Sequence, residues 1–162
     1  MHPAARRLRA RPTYPEPVTR DPDLYGDDAT AARLLTSTDV WVVAGLSTDQ
    51  TRDAYGVSRL LQSKGKRIVP VHPRAETVHG ETGYASVQDA AFAVGPIDVV
   101  DCFVNSRRVG EVVDAAIAVG AKAVWLQLSV IDEDAARRAR DAGLDVVMDR
   151  CPAIEYRRNP RL

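Results

Sequence analysis

The chain has 162 residues, 45% of them hydrophobic, and sets 22 lysines and arginines against 22 aspartates and glutamates. That length suits one domain with an ordinary core, and a net charge of zero supplies no overall field to draw nucleic acid or an anionic membrane. No apolar run approaches the ~20 residues that cross a bilayer, and the first residues lack the apolar stretch of a secretory signal, so a cytoplasmic protein is expected. The two cysteines, Cys102 and Cys151, have no metal-ligand spacing, and neither a metal site nor a disulfide is expected.

Residues 1 to 22 hold five of the ten prolines, and residues 1 to 20 hold five arginines against the single acid Glu16. Such a stretch forms neither a regular helix nor the interior of a sheet, so residues 1–27 read as an extended or disordered basic arm. A first helix is expected near 28–36, capped by Asp27 or Asp28. The run Val40-Trp41-Val42-Val43-Ala44 is continuous, apolar and β-branched, the pattern of a strand buried on both faces. A turn follows over 45–54, and a helix from Tyr55 or Gly56 that stops at Gly65. Arg67 to Val71 is a second strand, closed by His72-Pro73-Arg74. A connection over 75–96 contains a short helix near 86–93, and 97–104 is a third strand. A helix over 107–120, a strand over 121–128, a helix over 132–143 capped by Asp132, and a strand over 144–149 complete the pattern.

Strands alternating with helices predict an α/β domain over 28–155: a Rossmann-like, doubly wound, parallel five-stranded sheet with helices on both faces, followed by a tail over 156–162. Ligands of such sheets sit beyond the carboxyl ends of the strands, where the strand order reverses. A strand order of 3-2-1-4-5 would put the third and fifth strands, and with them Cys102 and Cys151, at opposite edges.

The loop after the first strand keeps only the first glycine of a dinucleotide fingerprint: Gly45 is followed by Leu46 and Ser47, and the next glycine is Gly56. No glycine-lysine-serine or glycine-lysine-threonine follows either, so ATP hydrolysis loses its main support. Backbone donors of the loop, the hydroxyls of Ser47, Thr48 and Thr51, and the guanidinium of Arg52 still suit a phosphate, although a polar surface loop with capping hydroxyls would look the same. The second strand ends in His72-Pro73-Arg74 where an NAD site carries an acid for the ribose. A positive group there fits a ribose phosphate and leaves NADP or coenzyme A. Asn105-Ser106 offers hydrogen bonds to a ligand or a cap for the next helix. Gln127, at the end of a buried strand, needs a partner.

Six segments in order, VVAGLS (42–47), DAYGVSRLL (53–61), VPVHPRA (69–75), VDCFVNS (100–106), GAKAVWLQLSV (120–130) and VVMDRCPAIE ending at Glu155, together resemble the small bacterial CoA-binding-domain proteins. These are related in fold to the nucleotide-binding domain of the succinyl-CoA synthetase alpha subunit. The resemblance implies coenzyme A or an acyl-CoA as ligand. It implies that Gly45, Leu46 and Ser47 line the diphosphate, with Arg52 and Tyr55 flanking it. His72, Pro73 and Arg74 would lie near the adenosine end, and Phe103, Val104, Asn105 and Ser106 beside the adenine or diphosphate. His72-Pro73 departs from the asparagine-proline common in the family, and Ser129 stands where members commonly have glycine.

The chain is too short for the extra domains of synthetase-type ligases, and no residue is assigned a catalytic role. The expected function is recognition of coenzyme A without bond breaking. The alternatives are an NADP-dependent enzyme or a CoA-thiol redox enzyme using Cys151, and a structural or regulatory module that binds a protein partner or forms a homodimer through its helices or basic arm.

Overall fold

A computed structural model describes residues 19–162. Its elements are α1 (Pro22–Tyr25), α2 (Asp28–Ser37), β1 (Val40–Ala44), α3 (Asp53–Ser63), β2 (Arg67–Val71) and α4 (Val87–Val94), then β3 (Val99–Cys102), α5 (Val109–Ala118), β4 (Ala123–Leu126), α6 (Glu133–Asp141), β5 (Asp145–Val147) and α7 (Pro152–Arg158). The five strands form one parallel sheet, as the alternation of elements predicts. Among the described residues no helix is long and apolar enough to cross a membrane.

The strand order is 2-1-3-4-5, not 3-2-1-4-5. Val42 of β1 pairs with Val69 of β2 on one side and Val100 of β3 on the other. The chain therefore steps outward from β1 to β2 and crosses back through α4 to β3. Both orders obey right-handed crossovers and give the same sequence alternation. The reversal point, and with it the cleft beyond the strand ends, falls between β1 and β3.

Because side chains alternate along each strand, the sheet separates two apolar cores. Val42, Val100, Cys102, Val124 and Leu126 pack beneath α1, α4, α5 and α6. Trp41, Val43, Ile68, Val99 and Trp125 pack beneath α2, α3 and α7. The two indoles are fully buried, with ring centroids 5.7 Å apart. Each N–H finds an acceptor, Thr38 Oγ1 at 2.8 Å for Trp41 and the Arg150 carbonyl at 2.9 Å for Trp125, which is what buried indoles require. Cys102 lies in the first core and Cys151 at the edge of the second; both are free thiols, separated by the sheet itself and not by its full width.

Helix ends follow local chemistry. Asp27, Ser86 and Asp132 each accept a backbone N–H two or three residues inside their helix, from Thr30, Asp89 and Ala135. Two helices escaped the sequence pattern. Most of the expected arm, residues 1–18, lies outside the described residues, but its last part is the one-turn helix α1. Asp21 caps that turn, Pro22 is pre-set for its first position, and Leu24 and Tyr25 are buried against α6 and β5. Past the expected boundary at Glu155, α7 continues to Arg158 and buries Tyr156, whose hydroxyl donates to the Leu35 carbonyl at 3.3 Å.

Asp101, on the central strand β3, is fully buried. Its Oδ1 accepts from the amide of Gln127, the partner that Gln127 was expected to need, and its Oδ2 has no hydrogen-bond partner. Burial pushes this carboxyl from the usual 3.8 up to about 8, so it is neutral at pH 7. Between pH ~4 and ~8 the unfolded chain has released this proton while the folded chain still holds it, so folding loses ground as pH rises through that window and levels off above it. Asp101→Asn abolishes the titration. The stability of the parent relative to this variant is expected to fall steadily from pH 4 to 8, read from urea unfolding at each pH; parallel curves would contradict a buried neutral acid.

Candidate functional site

Beyond the carboxyl ends of β1, β2 and β3 lies a cleft of about 730 Å³. Its base is one close approach. Gly45 leaves β1 with φ +93°, and a Cβ at this position would stand 2.6 Å from the Phe103 carbonyl oxygen. Glycine alone fits both the dihedral and the space. Gly45 N–H donates to the Val71 carbonyl at 2.8 Å, and Phe103 N–H donates to the Ala44 carbonyl at 2.9 Å, so the three strand ends are stitched where the cleft begins.

From there the loop turns polar. Leu46 is fully buried in the core under α2, α3 and α7 and does not line the cleft. Ser47 does; its Oγ accepts from Asp49 N–H at 3.2 Å. Asp49 in turn accepts from the hydroxyl and N–H of Thr51 at 2.6 and 2.9 Å, and these bonds hold its carboxyl below the usual range. Helix α3 starts at Asp53, two or three residues before the expected start at Tyr55 or Gly56, with Arg52 at its cap position and lining the cleft. Tyr55 lies outside the lining. It packs on His79 at 4.4 Å between ring centroids, and its carbonyl accepts from His79 Nε2 at 2.9 Å.

The loop after β2 supplies His72, Pro73 and Arg74, all in the lining. His72 Nδ1 accepts from Arg74 N–H at 3.2 Å, so the neutral ring carries its proton on Nε2. Desolvation, helped by Arg74, lowers its pKa. Arg74 Nε donates to Glu76 Oε1, and Glu76 Oε2 accepts from both the hydroxyl and the N–H of Thr48 in the neighbouring loop. With the Thr48 hydroxyl first and Arg74 next, these bonds lower Glu76 to about 2.

Phe103, Val104 and Asn105 complete the expected lining. Asn105 Oδ1 accepts from the N–H groups of Arg107 and Arg108, both at 3.1 Å, which is the capping role considered for it. Its amide NH₂ remains as a donor. Ser106 does not line the cleft: its Oγ accepts from Ile131 N–H at 3.0 Å and donates to the Ser129 carbonyl at 3.4 Å, joining the loops after β3 and β4. Ser129 adopts φ +67°, the left-handed conformation that glycine takes more easily, and donates its N–H to Asp149 at 2.6 Å.

Several lining residues were not expected: Ser86 to Gln88 at the start of α4, Arg108 at the cap of α5, and Glu111, Val112 and Ala115 on that helix. The Ser86 cap was a readable signal for a helix end at the site. The α5 face was not, because only the packing of α5 against β3 and β4 decides which residues overhang the cleft. Chemically, the cleft pairs three guanidiniums with an apolar wall of Val71, Val104, Val112 and Ala115. That combination suits a ligand with phosphate groups and a flat heterocycle. Among the described residues, no group of three or more histidines, cysteines or acids is arranged to hold a metal.

Comparison with known proteins places this geometry among relatives. The family described as "CoA binding domain" matches residues 39–157. The uncharacterized protein YneT of Bacillus subtilis is 30% identical over 114 residues, covering 70% of this chain and 82% of that protein. The solved structure of a hypothetical protein from Pyrococcus horikoshii is 34% identical with a TM-score of 0.78, over 86% of this chain and 96% of that one. A dinucleotide-forming acetyl-coenzyme A synthetase from Ca. Korarchaeum cryptofilum is 26% identical with a TM-score of 0.62, over 72% of this chain but 27% of that enzyme.

Gly45→Ala tests the base of the cleft. The left-handed dihedral alone costs roughly 1–2 kcal/mol for a non-glycine residue, and the contact with the Phe103 carbonyl adds to it. A loss of stability beyond that cost is expected in thermal or urea unfolding; an unchanged midpoint would mean that the strand ends are not pinned there.

Proposed function

Because this chain belongs to the CoA-binding-domain family, we propose that it binds coenzyme A or an acyl-CoA in the cleft at the ends of β1, β2 and β3, by recognition and without bond breaking. The observation that carries this reading is the convergence of the Gly45–Ser47 turn with Arg52, Arg74 and Arg108 around one cleft that also has an apolar wall. In this reading the diphosphate lies over Gly45 and Ser47 beside Arg52 and near Phe103 and Asn105. The adenosine end lies toward His72, Pro73 and Arg74, with the adenine against Val104 and Val112. A volume of about 730 Å³ is within the usual range for small-molecule sites. The acids Asp49 and Glu111 at the same cleft suit hydroxyl or amine donors of the ligand and disfavour a purely anionic one.

The family match favours coenzyme A over NADP. The redox alternatives draw no support from the cleft, since neither Cys151 nor Tyr55 lines it. The partner proposed is therefore a small molecule.

Calorimetric titration of ligand-stripped protein with coenzyme A, NADP and NAD tests this directly. Selective micromolar binding of coenzyme A, about 8 kcal/mol of free energy, is expected; no binding, or a preference for NADP, would overturn the assignment. Ser47→Ala is expected to weaken coenzyme A by roughly 1 kcal/mol, and Arg52→Ala by more through loss of a charge-assisted contact. Unchanged affinity in both variants would remove the diphosphate from this loop.

A further inference from the structure

Glu76 does not line the cleft, yet it joins the two loops that form the cleft's polar side. Its two oxygens have separate duties. Oε2 takes the hydroxyl and N–H of Thr48 from the loop after β1, and Oε1 takes the Nε–H of Arg74 from the loop after β2. Gly83 passes close to the backbone beneath this carboxylate, where a Cβ would stand 2.0 Å from the Glu76 carbonyl oxygen. The segment 81–84 is tied in turn to the end of β2 by Tyr84 N–H to the Pro70 carbonyl and His72 N–H to the Tyr84 carbonyl, at 2.9 and 3.0 Å. Glu76 is thus a firmly seated carboxylate, with 22% of its side chain exposed against 63% for Arg74.

Resting on the coenzyme A reading above, we propose that Glu76 is a positioning residue: it holds the Arg74 guanidinium toward the ligand's ribose phosphate and so sets the preference for a phosphorylated over an unphosphorylated ribose. A long exposed side chain loses rotamer freedom when it meets a ligand, and prior ordering removes that cost from binding. With Nε–H engaged by Glu76, the guanidinium retains its two NH₂ groups for a phosphate. The carboxylate also offsets part of Arg74's attraction for anions. Its seat outside the cleft lining, bonded to Thr48, makes it a brace and not a competitor for the ligand's place. The carboxylate stays ionised across the neutral range, so its charge is available to Arg74 throughout it.

Glu76→Gln separates the two duties, since an amide keeps an oxygen for Thr48 and loses the acceptor for Arg74. Full-length parent, Glu76→Gln, Arg74→Ala and the double variant are titrated with coenzyme A and 3′-dephospho-coenzyme A. Each single variant is expected to lose about five- to tenfold for coenzyme A and less than about twofold for the dephospho form, and the double variant to match Arg74→Ala alone. Equal losses for both ligands, additive losses in the double variant, or tighter coenzyme A binding in Glu76→Gln would overturn the bracing role. A parent that binds neither ligand would instead overturn the coenzyme A reading itself.

Discussion

The contact between Gly45 and the Phe103 carbonyl is the constraint from which the site grows. It lets β1 and β3 end side by side with no side chain between them, while the same glycine's N–H ties in β2. Three strand ends are thereby fixed at one point, and the loops that leave them diverge around the cleft. The turn at Gly45 also decides the fate of its neighbours: Leu46 drops into the core beneath α2 and α3, while Ser47 is left beside the opening.

The electrostatics of the cleft are uneven although the chain as a whole is neutral. Arg74 is matched by Glu76, whereas Arg52 and Arg108 form no ion pair among the described residues. Most remaining ion pairs, such as Arg137–Asp134 and Arg138–Asp114, are exposed and contribute little to stability. Specific charge is concentrated by the position of a few loops and not by composition, which is why net charge alone identifies no partner.

Much of the fold was legible. The strands Val40–Ala44 and Arg67–Val71 were read to the residue because short runs rich in valine and isoleucine are closed by Gly45 and His72. The third strand was read too long, as 97–104, because Phe103 and Val104 are apolar for the sake of the cleft and not of the ladder. Strand order was not legible, since alternation records how many crossovers occur and not on which side each lands. Of the twelve residues expected at the site, Leu46, Tyr55 and Ser106 do not line the cleft. Each is adjacent in sequence to a residue that does, or one turn into the following helix, and loop backbones turn neighbouring side chains to opposite sides. Arg108, Val112 and Ala115 were missed for the converse reason: they share a helix face whose direction only tertiary packing sets.

The indole pair has a use of its own. Trp41 and Trp125 are the chain's two tryptophans, both fully buried on the sheet face under α2, α3 and α7, and neither borders the cleft. Their light emission comes from a buried, close-packed site that does not border the cleft. The protein thus carries a built-in optical probe of whether it is folded.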